Sequence, residues 1–215
     1  MIVPDEIDAN FLLRFRELIL RKVKDGLSFY IVTGGGKLAR RYQDAARAAR
    51  GDLSNEDADW IGIHSTRLNA HLFRTMFLED AQDRIMKNPT RLANSKYPII
   101  IGSGWKPGNS TDYCSVLAAK KLGAKKLVNL SNIDYVYDKD PRSNPDAKKF
   151  ETLSWGEFRN LIPKEWDPGL SSPFDPIAAK EAESLGLEVA IMNGAKLDEF
   201  EKYLNGETFA GTVIS

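Results

Sequence analysis

A single cysteine, Cys114, leaves this 215-residue chain without an intrachain disulfide, and its two histidines, His64 and His71, make no recognisable zinc set. No apolar run approaches the roughly 20 residues that cross a bilayer, and no signal-peptide pattern opens the sequence. Charge of one sign is missing too, because 30 basic and 30 acidic residues cancel. A general nucleic-acid or membrane-surface binder is expected to carry a basic excess, so neither partner is expected here. Repeats, low-complexity tracts and a domain linker are also lacking. What remains is 42% hydrophobic and 28% charged, ordinary globular values. One cytoplasmic α/β domain over residues 1–215 is the expectation.

Hydrophobic periodicity alternates between helix and strand along the chain. The spacing of Phe11, Leu12, Phe15, Leu18, Ile19 and Val23 predicts a helix over 8–25, closed by Gly26 and followed by a strand over 27–32. Residues 37–50, rich in Ala and Arg, read as a helix. Ser54 opens a longer one that runs to about Met86, with Trp60, Ile61, Leu68, Leu72 and Met76 facing a core or a partner subunit. A strand over 98–101 leads to a helix over 112–122, then a strand over 124–130 and a loop or hairpin over 135–150. Helices over 155–161, 175–185 and 197–204 and strands over 187–192 and 211–214 complete the series, with a Pro/Ser/Gly-rich loop at 163–173. Such alternation implies a three-layer αβα sandwich around a mainly parallel sheet.

Two glycine-rich turns stand where a strand gives way to a helix: Gly34-Gly35-Gly36, and Gly102 through Asp112. Glycine lets backbone N–H groups approach an anion, and the following helix presents its positive end. Two such sites suggest a ligand carrying several phosphates. Neither is a Walker A loop, since Gly-Lys-Ser/Thr is absent at the required spacing. Three successive glycines cost roughly 0.5–1 kcal/mol each in conformational entropy, which favours function over a plain turn. Lys37 or Arg40 would add charge to the first turn, and Ser110, Thr111 and Asp112 add hydroxyls and a carboxylate to the second.

Other polar groups read more plainly. Asp59, Thr66, Arg67 and Asn69 fall in the long helix and are expected on a solvated face. Asp134, Asp138 and Asp140 are either Mg²⁺ ligands or ordinary turn aspartates. Asp175 is expected to cap a helix, with Pro176 at its first position. His64 and His71 are expected at the surface or in packing, and Trp155 and Trp166 in packing.

In order along the chain, Gly34-Gly35-Gly36-x-x-Ala39-Arg40, Asp59-x-x-Gly62-x-x-x-Thr66-x-x-Asn69, Pro107-Gly108-x-Ser110-Thr111-Asp112 and Ser131-Asn132-x-Asp134-x-Val136-Tyr137-x-x-Asp140-Pro141 resemble the amino acid kinase superfamily, within it the archaeal-type uridylate kinases. The resemblance runs from Ile7 to Gly211-Thr212 and implies ATP-dependent phosphorylation of UMP to UDP, with ATP and Mg²⁺ as cofactors. It places Gly35 on the UMP phosphate, and Gly36 and Arg40 on the ATP side. Asp59 would hold the UMP ribose, and Trp105, Lys106, Pro107, Gly108, Asn109, Ser110 and Thr111 would wrap the monophosphate. Ser131, Tyr137 and Asp140 would line the ATP pocket. Asp112 and Asp175 would act around the transferred phosphoryl group as catalytic residues. A homo-oligomer is also implied, with the early helices as its contact.

Two departures qualify the resemblance. The family's first strand and its Gly-Gly-Ser type loop precede the segment that Met1-Ile2-Val3-Pro4-Asp5 resembles. Their absence from residues 1–215 is expected to expose sheet edges and to make this chain a poor kinase. Trp105 stands where a small hydroxyl residue is expected. The remaining alternatives are a non-catalytic nucleotide- or oxyanion-binding homologue, and a kinase of the same superfamily for isopentenyl phosphate, carbamate or an amino acid carboxylate.

Overall fold

The computed structural model describes residues 7–92, 95–164 and 172–215, and its contacts divide the chain into two compact units at Leu122/Gly123. Most of the Pro/Ser/Gly-rich loop, Trp166 included, lies outside the described residues.

The N-terminal unit begins with α1 (Ala9–Lys24), whose first turn is capped by Asp8 accepting the N–H of Phe11. Its buried face, Phe11, Phe15, Leu18 and Ile19, repeats at helical spacing. Phe15 meets Phe73 at 5.6 Å between ring centres. Strand β1 (Phe29–Val32) pairs in parallel with β2 (Ile99–Gly102), Phe29 opposite Ile99. Between them lie α2 (Gly36–Arg50) and α3 (Asn55–Met76). Ser54 caps α3 by accepting the N–H of Asp57. A short 3₁₀ turn (Pro89–Arg91) precedes β2, and α4 (Thr111–Leu122) follows it.

Helix α3 ends at Met76, ten residues before the expected end near Met86. Phe77 is fully buried, and the chain turns there because the N–H groups of Asp80 and Ala81 both return to its carbonyl. Residues 81–86 then run beside β2, with Gln82 donating to the carbonyl of Ile99 and Met86 to that of Ile101. Apolar residues without Gly or Pro fitted both periods, and the edge of β2 decided.

The C-terminal unit carries a sheet in the order β3–β7–β8–β6. β3 (Lys126–Ser131) is followed by a small antiparallel hairpin, β4 (Val136–Tyr137) with β5 (Lys149–Phe150), and by β6 (Thr152–Leu153). α5 (Trp155–Leu161) starts from a capping box formed by Ser154 and Glu157. α6 (Pro176–Ser184), β7 (Glu188–Asn193), α7 (Leu197–Asn205) and β8 (Thr212–Ile214) complete it. β3 and β7 are parallel, β6 and β8 are parallel, and β8 runs against β7. Trp155, Phe158, Phe174, Leu187, Ile191 and Ile214 fill the core, and Trp155 satisfies its ring N–H on the carbonyl of Leu187. Trp155 is therefore a packing residue. Among the described residues, no helix is long and apolar enough to cross a membrane.

Candidate active site

In the N-terminal unit both glycine turns rest against α3. Thr33 ends β1 buried, with its hydroxyl donating to the carbonyl of Thr66 at 2.9 Å. Gly34, Gly35 and Gly36 follow, and Gly36 has φ +63°, a left-handed conformation suited to glycine. A Cβ on Gly35 would stand 2.8 Å from that of Ala39 and 3.4 Å from the carbonyl oxygen of Gly62. A side chain on Gly35 would thus crowd the first turn of α2 at Ala39. Asn69 reaches back and donates from Nδ2 to the carbonyl of Gly34 at 2.7 Å.

The second turn is tied to the same helix. The N–H of Gly104 donates to the Thr66 hydroxyl at 2.8 Å, and a Cβ on Gly104 would meet that hydroxyl at 2.9 Å. Further on, the N–H of Gly108 donates to Asp59 Oδ2 at 2.7 Å, with Gly108 at φ +77°. Arg67 donates to the carbonyl of Trp105 at 3.2 Å while its guanidinium lies 6.0 Å from the Trp60 ring centre. Lys106 sits 4.5 Å from the Trp105 ring centre. Asn109 donates to the carbonyl of Pro107, and Ser110 accepts the N–H of Tyr113 as a cap for α4. Thr111 and Asp112 form the first turn of that helix.

This corrects the expectation of a solvated face. Thr66 and Asn69 are each only 5% exposed, and both are spent on the glycine turns. Arg67 and Asp59 are half-buried and hold the second turn. The signal lay in the sequence: Thr and Asn are poor helix-interior residues, and here they stand among Ile63, Ala70 and Phe73 on the buried side. Of the expected apolar stripe, Trp60 and Leu68 are exposed, at 38% and 62%. His64 and His71 are at the surface, as are Lys37 and Arg40 on α2.

In the C-terminal unit, a pocket of about 160 Å³ opens after β3, lined by Asn132, Ile133, Asp134, Tyr137, Asp140, Pro141 and Arg142. Tyr137 and Asp140 therefore share one cavity, while Ser131 ends β3 just before it. Asp140 is held in a fork by Arg142, at 3.1 Å from Nε and 3.0 Å from the terminal nitrogen. Those bonds keep its carboxyl below the ordinary range. Sequence reasoning missed Arg142, whose role shows only once the turn folds it back. The hairpin is anchored by Thr212, whose buried hydroxyl accepts the N–H of Val136 and donates to the carbonyl of Phe150.

Asp134 also has partners: Lys196 at 2.8 Å and Asn193 at 2.9 Å, which together lower its carboxyl pKa. Asp138 accepts the N–H of Lys148 at 2.8 Å. Each of the three aspartates thus has its own role in a turn or ion pair. Among the described residues no group of three or more His, Cys, Asp or Glu could hold a metal. The described side chains therefore offer no ligand set for a resident Mg²⁺. Asp175 is 5% exposed and caps α6, accepting the N–H of Ala178 at 2.6 Å. Asp112 and Asp175 belong to different units.

Against known proteins, a family model described as "Amino acid kinase family" matches residues 4–193. The chain belongs to the amino acid kinase family. Within it, the chain is 33% identical over 217 residues to a uridylate kinase of Methanosarcina barkeri, covering 100% of this chain and 92% of that one. It is 34% identical over 210 residues to a uridylate kinase of Pyrobaculum neutrophilum, covering 97% and 94%. Among solved structures it matches the uridylate kinase of Archaeoglobus fulgidus with TM-score 0.81 and 28% identity, covering 97% of this chain and 94% of that one. This member of the family thus has its α/β fold with parallel-paired strands; three of the quoted motifs fall where the glycine turns meet α3, and the fourth lines the pocket after β3.

Proposed function

We propose that this chain transfers the γ-phosphoryl group of ATP to UMP, giving ADP and UDP. The observation that carries the reading is the pair of glycine turns fixed to one helix by Thr66, Asn69 and Asp59. Full-length similarity to the archaeal uridylate kinases supports the choice of acceptor.

Phosphoryl transfer needs alignment and charge neutralisation more than covalent chemistry. Gly35 and the turn from Trp105 to Thr111 supply backbone and hydroxyl donors for the UMP phosphate. Asp59 steadies that turn with one carboxylate oxygen and offers the other to the UMP ribose. On the donor side, Tyr137 and Asp140 line the nucleoside pocket with Ser131 at its edge, and we assign Gly36 and Arg40 to the ATP phosphates. Asp112 and Asp175 orient groups around the transferred phosphoryl, Asp175 from a fixed helix-capping position. ATP enters as its Mg²⁺ complex, the metal travelling on phosphate oxygens. Exposed Trp60 and Leu68 on α3 favour a homo-oligomer that covers them.

The test is a panel of acceptors with MgATP, comprising UMP, isopentenyl phosphate, carbamate and aspartate, with product identified by chromatography and binding followed by calorimetry. UMP binding with UDP as the product, even at a slow rate, supports the reading. Preferential turnover of another acceptor contradicts it.

A further inference from the structure

Asn69 stands inside α3, where asparagine is a poor helix former, and it is 5% exposed. Its Nδ2 donates to the carbonyl of Gly34 at 2.7 Å and reaches that of Gly35 at 3.5 Å. A trans peptide is planar, so its C=O and N–H point in opposite directions. Holding the Gly34 carbonyl against α3 therefore aims the Gly35 N–H away from that helix. The Gly35 carbonyl also accepts the N–H of Ala39 as a first bond of α2, which leaves the Gly36 N–H directed out of the helix start. Among the described residues neither of these N–H groups has a partner. The turn is further held at its start, where Thr33 is fixed by its bond to Thr66.

We propose that Asn69 is a positioning residue for the acceptor phosphate: by pinning the Gly34 carbonyl to α3, it turns the Gly35 amide outward as a donor for a phosphate oxygen. The inference rests on the reading of Gly35 as an acceptor contact. An amide side chain suits the task because it donates without adding a charge that would compete for the phosphate. Its own distance from solvent keeps it out of direct contact with the nucleotide.

The test titrates ¹⁵N-labelled full chain with UMP, uridine and inorganic phosphate, following the Gly35 amide resonance, with affinities from calorimetry. UMP is expected to move the Gly35 amide and uridine to leave it unmoved. Asn69→Ala is expected to weaken UMP about tenfold, the loss of one good hydrogen bond's worth of orientation, and to leave uridine unchanged. Asn69→Asp, nearly the same shape but without a donor when ionised, is expected to weaken UMP at least as much. A purely structural role would lower the melting temperature without changing the UMP-to-uridine ratio. UMP binding that leaves the Gly35 amide unmoved overturns the inference and leaves the acceptor reading standing. So do folded Asn69 variants with an unchanged ratio. A wild-type chain that does not bind UMP overturns the acceptor reading, and the inference with it. Should the variants fail to fold, the wild-type amide response decides.

Discussion

Gly108 and Asp59 are 49 residues apart in sequence, yet the backbone N–H of one donates to the carboxylate of the other at 2.7 Å. That bond fixes the tip of the second glycine turn to the start of α3. Under the proposed function Asp59 also holds the UMP ribose, so removing the carboxylate removes an anchor and that proposed ligand group together. Asp59→Ala is expected to weaken UMP by at least about tenfold, the range for a hydrogen bond to a charged group. Asp59→Asn, which still accepts through its amide oxygen, is expected to lose less. Calorimetric titration of both variants with UMP checks the order.

Close approach distinguishes the glycines from one another. A Cβ on Gly104 would stand 2.9 Å from the Thr66 hydroxyl and 3.3 Å from Ile63 Cγ1, whereas one on Gly34 would meet nothing within 4 Å. Gly104→Ala is expected to lower stability by about 1–3 kcal/mol through overpacking. Gly34→Ala is expected to stay within about 0.5 kcal/mol of wild type. Urea unfolding of the two variants reads the difference.

Asp175 combines a cap with a proposed catalytic role, and substitution separates the two. Asn caps about as well as Asp, while Ala forfeits about 0.5–2 kcal/mol. Asp175→Asn is expected to keep the melting temperature of the wild type and lower kcat at unchanged KM for UMP. Asp175→Ala is expected to lose both stability and turnover. An Asp175→Asn enzyme with wild-type kcat would leave Asp175 as a cap alone.

The Asp134–Lys196 pair carries a pH signature. The hydrogen bond from Lys196 lowers the Asp134 pKa, and the same bond raises that of Lys196. A depressed carboxyl contributes stability above its unfolded value, about 3.9, and loses it as pH falls through the lower folded value. A raised lysine contributes stability below its unfolded value, about 10.4, and loses it as pH rises through the higher folded value. The pair therefore holds across the whole range between. Lys196→Met is expected to move the Asp134 midpoint upward, as followed by carboxyl ¹³C chemical shifts during an acid titration.

Much of this molecule could be read from residue order, for reasons that differ by element. α1 was legible through its apolar spacing closed by Gly26, and α2 through its Ala- and Arg-rich run. The hairpin at Val136 and Phe150 was legible through its flanking Asp-Pro and Asn-Pro turns. The end of α3 was not, since burial of Phe77 and the pull of β2 on residues 81–86 are tertiary effects. The glycine turns announced themselves, but the residues that hold them did not. Thr66 and Asn69 read as part of a solvated face because their partners, at Gly104 and Gly34, come from segments distant in sequence. Arg142 was invisible because its fork on Asp140 depends on the turn between them.

Calorimetric titration of the full chain with UMP, set beside uridine and the other acceptors, tests the central claim most directly. The account predicts that UMP binds, that uridine binds at least about tenfold more weakly for want of a phosphate, and that Asp59→Ala removes most of the difference. No binding of UMP, or equal binding of UMP and uridine, would contradict it.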